Sequence, residues 1–442
     1  MLEGLRARTS HYIPAKGAEK HGLSAGKALE LFGDGPGLVV TVDCGITNRD
    51  EIAELGRHGK DVVVTDHHEQ AGDLPPAAAI VDPKLPDSGY PYRGLAGVGV
   101  ALKLGIGIAG EALGVSLAEF VSAEPDLLAL AVLGTVADRV PLTGENRDLV
   151  AAGLPLLERT GMTAVRMVLG RLKYEGRITP LKMVPKLLPL FAAAEGNDGV
   201  ERLVDTDSEK AGEWLDVLEQ RAEQWRRDAE QSVAVAERVA QVGDGVVVVR
   251  SRELSLRALG FCAARLKQRY NFPVLVMGWR GDAWVGECRG VEGMSLIDLL
   301  GATAEFLEDY GGHRLAGGFT VREENVDRFV RSLEEYTHRE VAGRIAARPG
   351  LQADAEMPLR DFDPGLVRLA PFGEGNRPPL LVSEPTRVSE RGTEWIPDVA
   401  PERRLTPGRP GLIPHAGPMN LLYSVDDDGR LSVVDLRPAG NA

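Results

Sequence analysis

The chain has 442 residues, more than one hydrophobic core usually serves, so two or three domains are expected. Its hydrophobic content of 43% and charged content of 26% are those of an ordinary soluble globular protein. A net charge of −14 excludes an indiscriminate nucleic-acid coat but not a nucleic-acid enzyme, because a local basic groove can sit on an acidic body.

The first segment alternates strand and helix. "GLVVTVDCG" (37–45) is a short apolar run ended by Asp and Gly, which predicts a buried strand feeding a loop. "TNRDEIAELGRHG" (47–59) predicts a helix with Thr47 or Asn48 as its cap and a glycine at its close. "DVVVTDHH" (61–68) and "AAAIVDP" (77–83) predict two more strands. Near-continuous apolar strands separated by helices imply a parallel sheet covered on both faces. Helices are expected at 97–113 and 126–138, the second apolar nearly all round and therefore buried.

Residues 205–242 are a charged helical stretch in which Trp214, Leu218, Trp225, Ala229, Val233, Ala236 and Val239 recur at helical spacing, which predicts a connecting helix. A second α/β segment begins at "GVVVV" (245–249) and runs through a helix at 257–270, "PVLVMGW", "AWVGECRG" and the glycine-rich "YGGHRLAGGFTV" (310–321). After about residue 350 the chain is rich in Pro and Gly. It closes on "NLLYSVDDDGRLSVVDL" (420–436), whose DDDG turn predicts a β-hairpin. The three cysteines, Cys44, Cys262 and Cys288, have no metal or disulfide spacing, which fits a reducing, cytoplasmic setting. The longest apolar stretches are too short to cross a bilayer, so no membrane partner is expected.

In an open parallel sheet, ligands bind beyond the carboxyl ends of the strands. Asp43 ends one predicted strand, and Asp66, His67 and His68 end the next. Asp138 ends the buried helix. Carboxylates and imidazoles without thiolates suit Mn²⁺ or Mg²⁺ better than structural zinc. Spacing alone leaves other readings open. Asp43 fits a helix cap or turn, and Asp138 fits an ion-pair partner for Arg139 or Arg147.

The ordered blocks "TVDCGIT", "VVVTDHH", "IVDPKLPDSGYPYRGLAGVGVALKL" and "LGTVADRVPLTGENR" resemble the DHH phosphoesterase superfamily, and within it the RecJ family of single-strand-specific exonucleases. "YIPAKGAEKHGLS", "GGHRLAGG" and "LAPFGEGNRPPL" resemble further RecJ signatures. The resemblance implies an α/β fold. It has a parallel-sheet DHH domain (1–200), a connecting helix (201–243), a smaller α/β DHH-associated substrate-binding domain (244–345) and a short β-rich OB-like C-terminal region (346–442). It implies two divalent cations, Mn²⁺ or Mg²⁺, with Asp43 bridging them and His67 and Asp138 completing one shell. Asp66 would orient these ligands, and His68 would face the substrate phosphate. Lys16, Ser24, Arg147, Lys186, Arg289, Gly311, Gly312 and His313 are the implied substrate contacts, with a tight, close-packed turn as the competing role for the glycines.

The implied activity is metal-dependent 5′→3′ hydrolysis of single-stranded DNA in repair or recombination. A monomer is expected, with a single-strand-binding protein or helicase as a candidate partner. Three departures bear on this. The family's first Asp-x-Asp block precedes the "YIP" loop and is absent here, so an impaired chain is expected. Leu254 and Ser255 stand where the family has Trp-His. Only Pro185 and Lys186 echo a Pro-Arg-x-Asn-Ala-x-Gly-Arg stretch. A catalytically silent DHH scaffold and a phosphodiesterase of short oligonucleotides are the alternatives.

Overall fold

The computed structural model describes the chain apart from residues 1, 3–4, 15–21, 71, 175, 195–198, 200–201, 204–206, 244, 341–350, 409–411, 440–442 and the side chain at 313. The chain divides into two compact units, Met1–Leu218 with Ala353–Ala442, and Glu219–Gln352. Among the described residues no single helix is long and apolar enough to cross a membrane.

The first unit opens with α1 (Ala25–Phe32), β1 (Gly37–Val42), α2 (Arg49–Arg57), β2 (Lys60–Thr65) and β3 (Ala79–Val81). The Ser24 hydroxyl accepts from the Lys27 amide and so starts α1, while Gly33 at φ +67° ends it. Helix α2 has Asp50 and Glu51 in its first turn and Arg57 in its last, which complements the helix dipole. Asn48 precedes α2 but makes no side-chain cap bond; its Oδ1 instead accepts from the Leu23 amide at 3.3 Å.

The three strands pair in parallel in the order β1-β2-β3. Side chains alternate across the sheet. On one face Val62 and Val64 pack with Ala25, Ala28, Ile52 and Leu55 beneath α1 and α2. On the other, Leu38, Val40 and Val42 are 64%, 37% and 52% exposed. Along β1 the expected cover on both faces is therefore found on one. β1 also has no second strand partner among the described residues.

Beyond the sheet come α3 (Gly97–Leu113), α4 (Leu117–Ala123), α5 (Pro125–Ala137) and α6 (Gly144–Leu157). Helix α5 buries Leu128, Ala129, Ala131, Val132, Leu133, Thr135 and Val136, most of its circumference, and Asp138 is its C-terminal cap residue.

The long helix runs Ser208–Val239, and the boundary between the two units falls within it. The second unit has six strands: β4 (Gln241–Val242), β5 (Val247–Ser251), β6 (Val274–Trp279), β7 (Trp284–Arg289), β8 (Leu307–His313) and β9 (Ala316–Val321). They form one sheet in the order β4-β5-β6-β7-β9-β8, with β5 and β6 parallel. Val247, Val249, Val274 and Val276 pack with Leu259, Leu266 and Ala229 on one face. Val248, Leu275 and Met277 pack with Leu299, Phe329 and Leu333 on the other. The "YGGHRLAGGFTV" segment folds as the antiparallel hairpin of β8 and β9.

The expected short C-terminal module has seven strands: β10 (Ala355–Glu356), β11 (Leu380–Val382), β12 (Val388–Arg391), β13 (Glu394–Pro397), β14 (Leu405–Pro407), β15 (Met419–Val425) and β16 (Leu431–Pro438). They form one sheet in the order β10-β11-β15-β16-β14-β13-β12. The last two make the hairpin predicted around DDDG.

Candidate metal centre

Three parallel strands end on acids. Asp43 follows β1 in the left-handed conformation, φ +63°, and its amide donates to the Thr65 carbonyl at 3.0 Å. Asp66 follows β2 and Asp82 follows β3. The strand register sets Val42 beside Thr65 and Thr65 beside Val81, so the three acids leave the same end of the sheet.

Asp66 is 1% exposed and organises the loop after β2. Its Oδ2 accepts from the Ile46 amide at 3.0 Å, and its Oδ1 accepts from the amides of His67 (2.7 Å) and His68 (3.2 Å). The Nδ1 of His68 lies 2.7 Å from the same Oδ1. Burial works against ionisation of Asp66, but the bonds from His68, Ile46 and His67 outweigh it and hold its carboxyl below the ordinary aspartate range. The reciprocal bond from Asp66 raises the pKa of His68 against the effect of burial.

His67 is buried, and its Nε2 points between two carboxylates, 3.0 Å from Asp43 Oδ1 and 3.4 Å from Asp138 Oδ2. Neither ring nitrogen of His67 has a hydrogen-bond partner. A buried imidazole without a hydrogen bond is costly, and a ring nitrogen set between two carboxylates is the arrangement a cation satisfies. Asp43, His67 and His68 each offer a ligand atom, all within 4.8 Å of one another. Burial, with the nearby Asp43 charge, pushes the carboxyl of Asp138 up despite the attraction of His67. The donor set of carboxylate oxygens and imidazole nitrogens fits Mn²⁺ or Mg²⁺.

Two neighbours were missed from sequence. Asp82 is 4% exposed; its Oδ1 accepts from the Lys84 amide, its Oδ2 has no partner, and burial raises its pKa. The rule that selects Asp43 and Asp66, an acid directly after a parallel strand, also selects Asp82 in "IVDP". Gly97 begins α3, and a Cβ built there would overlap the Asp43 carboxylate. No local pattern in "GVGV" announces that contact.

The expected substrate contacts are dispersed. Lys16 lies outside the described residues, and Ser24 serves as the α1 cap. Arg147 on α6 donates through Nη2 to the carbonyls of Arg368 and Ala370, both at 2.7 Å, which ties α6 to the C-terminal segment. Lys186 is exposed, with its ammonium 5.4 Å from the Tyr174 ring. In the second unit Arg289 Nη1 donates to Glu287 Oε2 at 3.0 Å and to the Cys288 carbonyl at 2.8 Å. Arg289 pairs in register with Ala316, which pairs with His313, so the arginine and the glycine-rich turn share one end of that sheet. Gly312 has φ +138°, and a Cβ there would strike the Ala316 carbonyl and Gly317. The side chain of His313 lies outside the described residues.

Residues 1–135 match the DHH family, N-terminal domain. The single-stranded-DNA-specific exonuclease RecJ of Bacillus subtilis (strain 168) is 31% identical over 348 residues, covering 76% of this chain and 42% of the relative. The exonuclease of the same name from Thermus thermophilus is 29% identical over 396 residues, covering 86% of this chain and 55% of the relative. The chain thus spans about half the length of the curated relatives it matches. Among solved structures, Thermus thermophilus RecJ in complex with Mn²⁺ superposes with a TM-score of 0.74 at 25% identity, over 91% of this chain and 62% of that one. An exonuclease RecJ bound to manganese superposes with a TM-score of 0.65 at 26% identity, over 78% of this chain and 87% of that one.

Proposed function

We propose that this protein is a metal-dependent phosphodiesterase acting from the 5′ end of single-stranded DNA. Its N-terminal part matches the DHH family, and the chain resembles RecJ exonucleases in sequence and fold over most of its length. The observation that carries the reading is the buried His67 imidazole, without a hydrogen bond and with its Nε2 set between the carboxylates of Asp43 and Asp138.

In this reading Asp43, His67 and Asp138 would hold two divalent cations. Such ions, when bound, fix a phosphate, lower the pKa of water and stabilise the leaving oxygen. Asp66 acts through others: its four acceptor contacts orient both histidines and the turn at Ile46. His68, its side chain 41% exposed, meets the substrate phosphate and assists the attacking water or neutralises charge. Lys186, Arg289 and the hairpin turn at Gly311, Gly312 and His313 are the proposed substrate contacts. Ser24 and Arg147 are better accounted for by their structural bonds.

The proposed division is a DHH domain to residue 200, a connecting helix to 243, a DHH-associated domain to 345 and an OB-like region beyond. The proposed setting is cytoplasmic DNA repair or recombination, by a monomer working beside a single-strand-binding protein or a helicase.

The test is calorimetric titration with Mn²⁺ joined to release of label from 5′-labelled single-stranded DNA. The unaltered protein is expected to bind Mn²⁺ and, impaired by the missing Asp-x-Asp block, to release labelled product slowly, and His67→Ala to lose both. Equal Mn²⁺ binding by the unaltered protein and His67→Ala would overturn the assigned site, and absence of product release from the protein supplied with the Asp-x-Asp block would overturn the activity.

A further inference from the structure

Asp138 supplies its carboxylate from the very end of α5, where helix hydrogen bonding stops. The next residue, Arg139, has φ +58°, the left-handed conformation in which a helix commonly ends. Packed against this turn is the C-terminal loop "PFGEGN", residues 371–376 of the same compact unit. The Glu374 carbonyl accepts from the Leu142 amide at 2.7 Å, and its carboxylate Oε2 accepts from Arg139 Nη2 at 2.7 Å. One residue therefore grips both ends of the 139–142 turn. Gly375, at φ +65°, lies so close that a Cβ would sit 2.7 Å from the Pro141 Cβ, and a Cβ on Gly373 would sit 2.6 Å from Leu142 Cδ1.

The loop is itself held. Phe372 is fully buried, and its amide donates to Asp427 Oδ1 at 3.0 Å. Asn376 donates to the carbonyls of Leu369 and Pro371, and Arg147 binds the carbonyls of Arg368 and Ala370. A cavity of about 550 Å³ lies beside the turn, lined by Val136, Arg139, Leu142, Leu181 and Glu374 among others. The Pro141 carbonyl also accepts from Asn146 Nδ2 at 3.1 Å and from the Tyr92 hydroxyl at 3.4 Å, so the loop supports the turn together with α6 and Tyr92.

We propose that the 371–376 loop is a buttress for the metal centre, with Glu374 and Gly375 as positioning residues that set the Asp138 carboxylate against His67. The inference rests on the metal reading of Asp43, His67 and Asp138. A ligand held from behind is displaced when its support moves, and losses of such outer contacts typically weaken metal affinity about 10- to 100-fold.

The experiment compares the unaltered protein with Gly375→Ala and Glu374→Ala by Mn²⁺ calorimetry, thermal unfolding and amide exchange at Leu142. Gly375→Ala drives a methyl into Pro141 and is expected to weaken Mn²⁺ binding about tenfold or more while speeding exchange at Leu142. Glu374→Ala removes a half-exposed ion pair but keeps the main-chain bond, so roughly a twofold to fivefold loss is expected, with Glu374→Gln partly restoring affinity. A purely structural loop would lower the unfolding temperature and leave Mn²⁺ affinity of the folded protein unchanged. That outcome in Glu374→Ala, or in a folded Gly375→Ala, overturns the buttress and leaves the metal site standing. Absence of Mn²⁺ binding by the unaltered protein overturns both.

Discussion

At the residue scale, the pair Asp66 and His68 does opposite work on two titrations. Asp66 is buried, yet hydrogen bonds keep it ionised below the ordinary aspartate pKa, and the same contact holds His68 protonated above the ordinary histidine value. The His68 contribution to stability is complete below about pH 6.5, its ordinary value, and fades as pH rises through the raised folded pKa. The Asp66 contribution is complete above about pH 4 and fades as pH falls through its lowered folded pKa. In protein stripped of divalent metal, the NMR titration midpoint of His68 is expected above that of a free histidine, and Asp66→Asn should bring it down. An unchanged midpoint in Asp66→Asn would contradict the assigned contact. Asp43, Asp66, His67 and Asp138 were legible because each stands where an apolar run ends. Asp82, buried directly after β3, obeys the same rule.

At the element scale, the strands and helices of the first half follow their apolar patterns closely. The helix read at 97–113 is α3, and the all-round apolar helix is the buried α5. The close approach of α3 to the strand end was not legible. Gly97 starts α3 against the Asp43 carboxylate, so Gly97→Ala must displace that carboxylate or the helix. The expected result is weakened Mn²⁺ binding by at least about tenfold with helix content by circular dichroism unchanged. Unchanged binding would mean that Asp43 is free to relocate. Strand β1 carries the other lesson. Its outward row Leu38, Val40 and Val42 has the composition of a covered strand, yet among the described residues the row is exposed and the strand edge unpaired. Leu38→Lys with Val42→Lys tests that exposure by thermal unfolding. The lysines replace partly exposed groups, so the unfolding temperature should change little.

At the scale of the whole molecule, sequence order and spatial grouping part company. Residues 353–442 belong with the first unit rather than with their chain neighbours in 219–352. Three contacts inside that unit bind the segment: fully buried Phe372, the Arg147 bonds to backbone carbonyls, and Lys182 Nζ 2.7 Å from Asp428 Oδ2. The DDDG turn, read only as a hairpin signal, also supplies Asp427 to the Phe372 amide and Asp428 to Lys182. Removing residues 353–442 should cost the first unit about 3 kcal/mol or more, the usual loss on truncating a buried phenylalanine alone. Calorimetry should then show one transition shifted down and the transition of residues 219–352, which has its own two-sided core, unmoved. A single unshifted profile would contradict this grouping.

The sequence alone determined the type of each long element and the acids and histidines at the strand ends. Periodicity, strand length and terminating residues are local properties, written in consecutive positions. It also determined the donor chemistry, since carboxylate and imidazole without thiolate narrow the cation whatever the fold. Only the tertiary structure decided which of these groups meet. Val42 lies beside Thr65 through strand register, His67 after β2 reaches Asp138 at the end of α5, and Glu374 reaches Arg139 across 235 residues. Such contacts arise from packing between distant segments, and no short stretch of sequence encodes them.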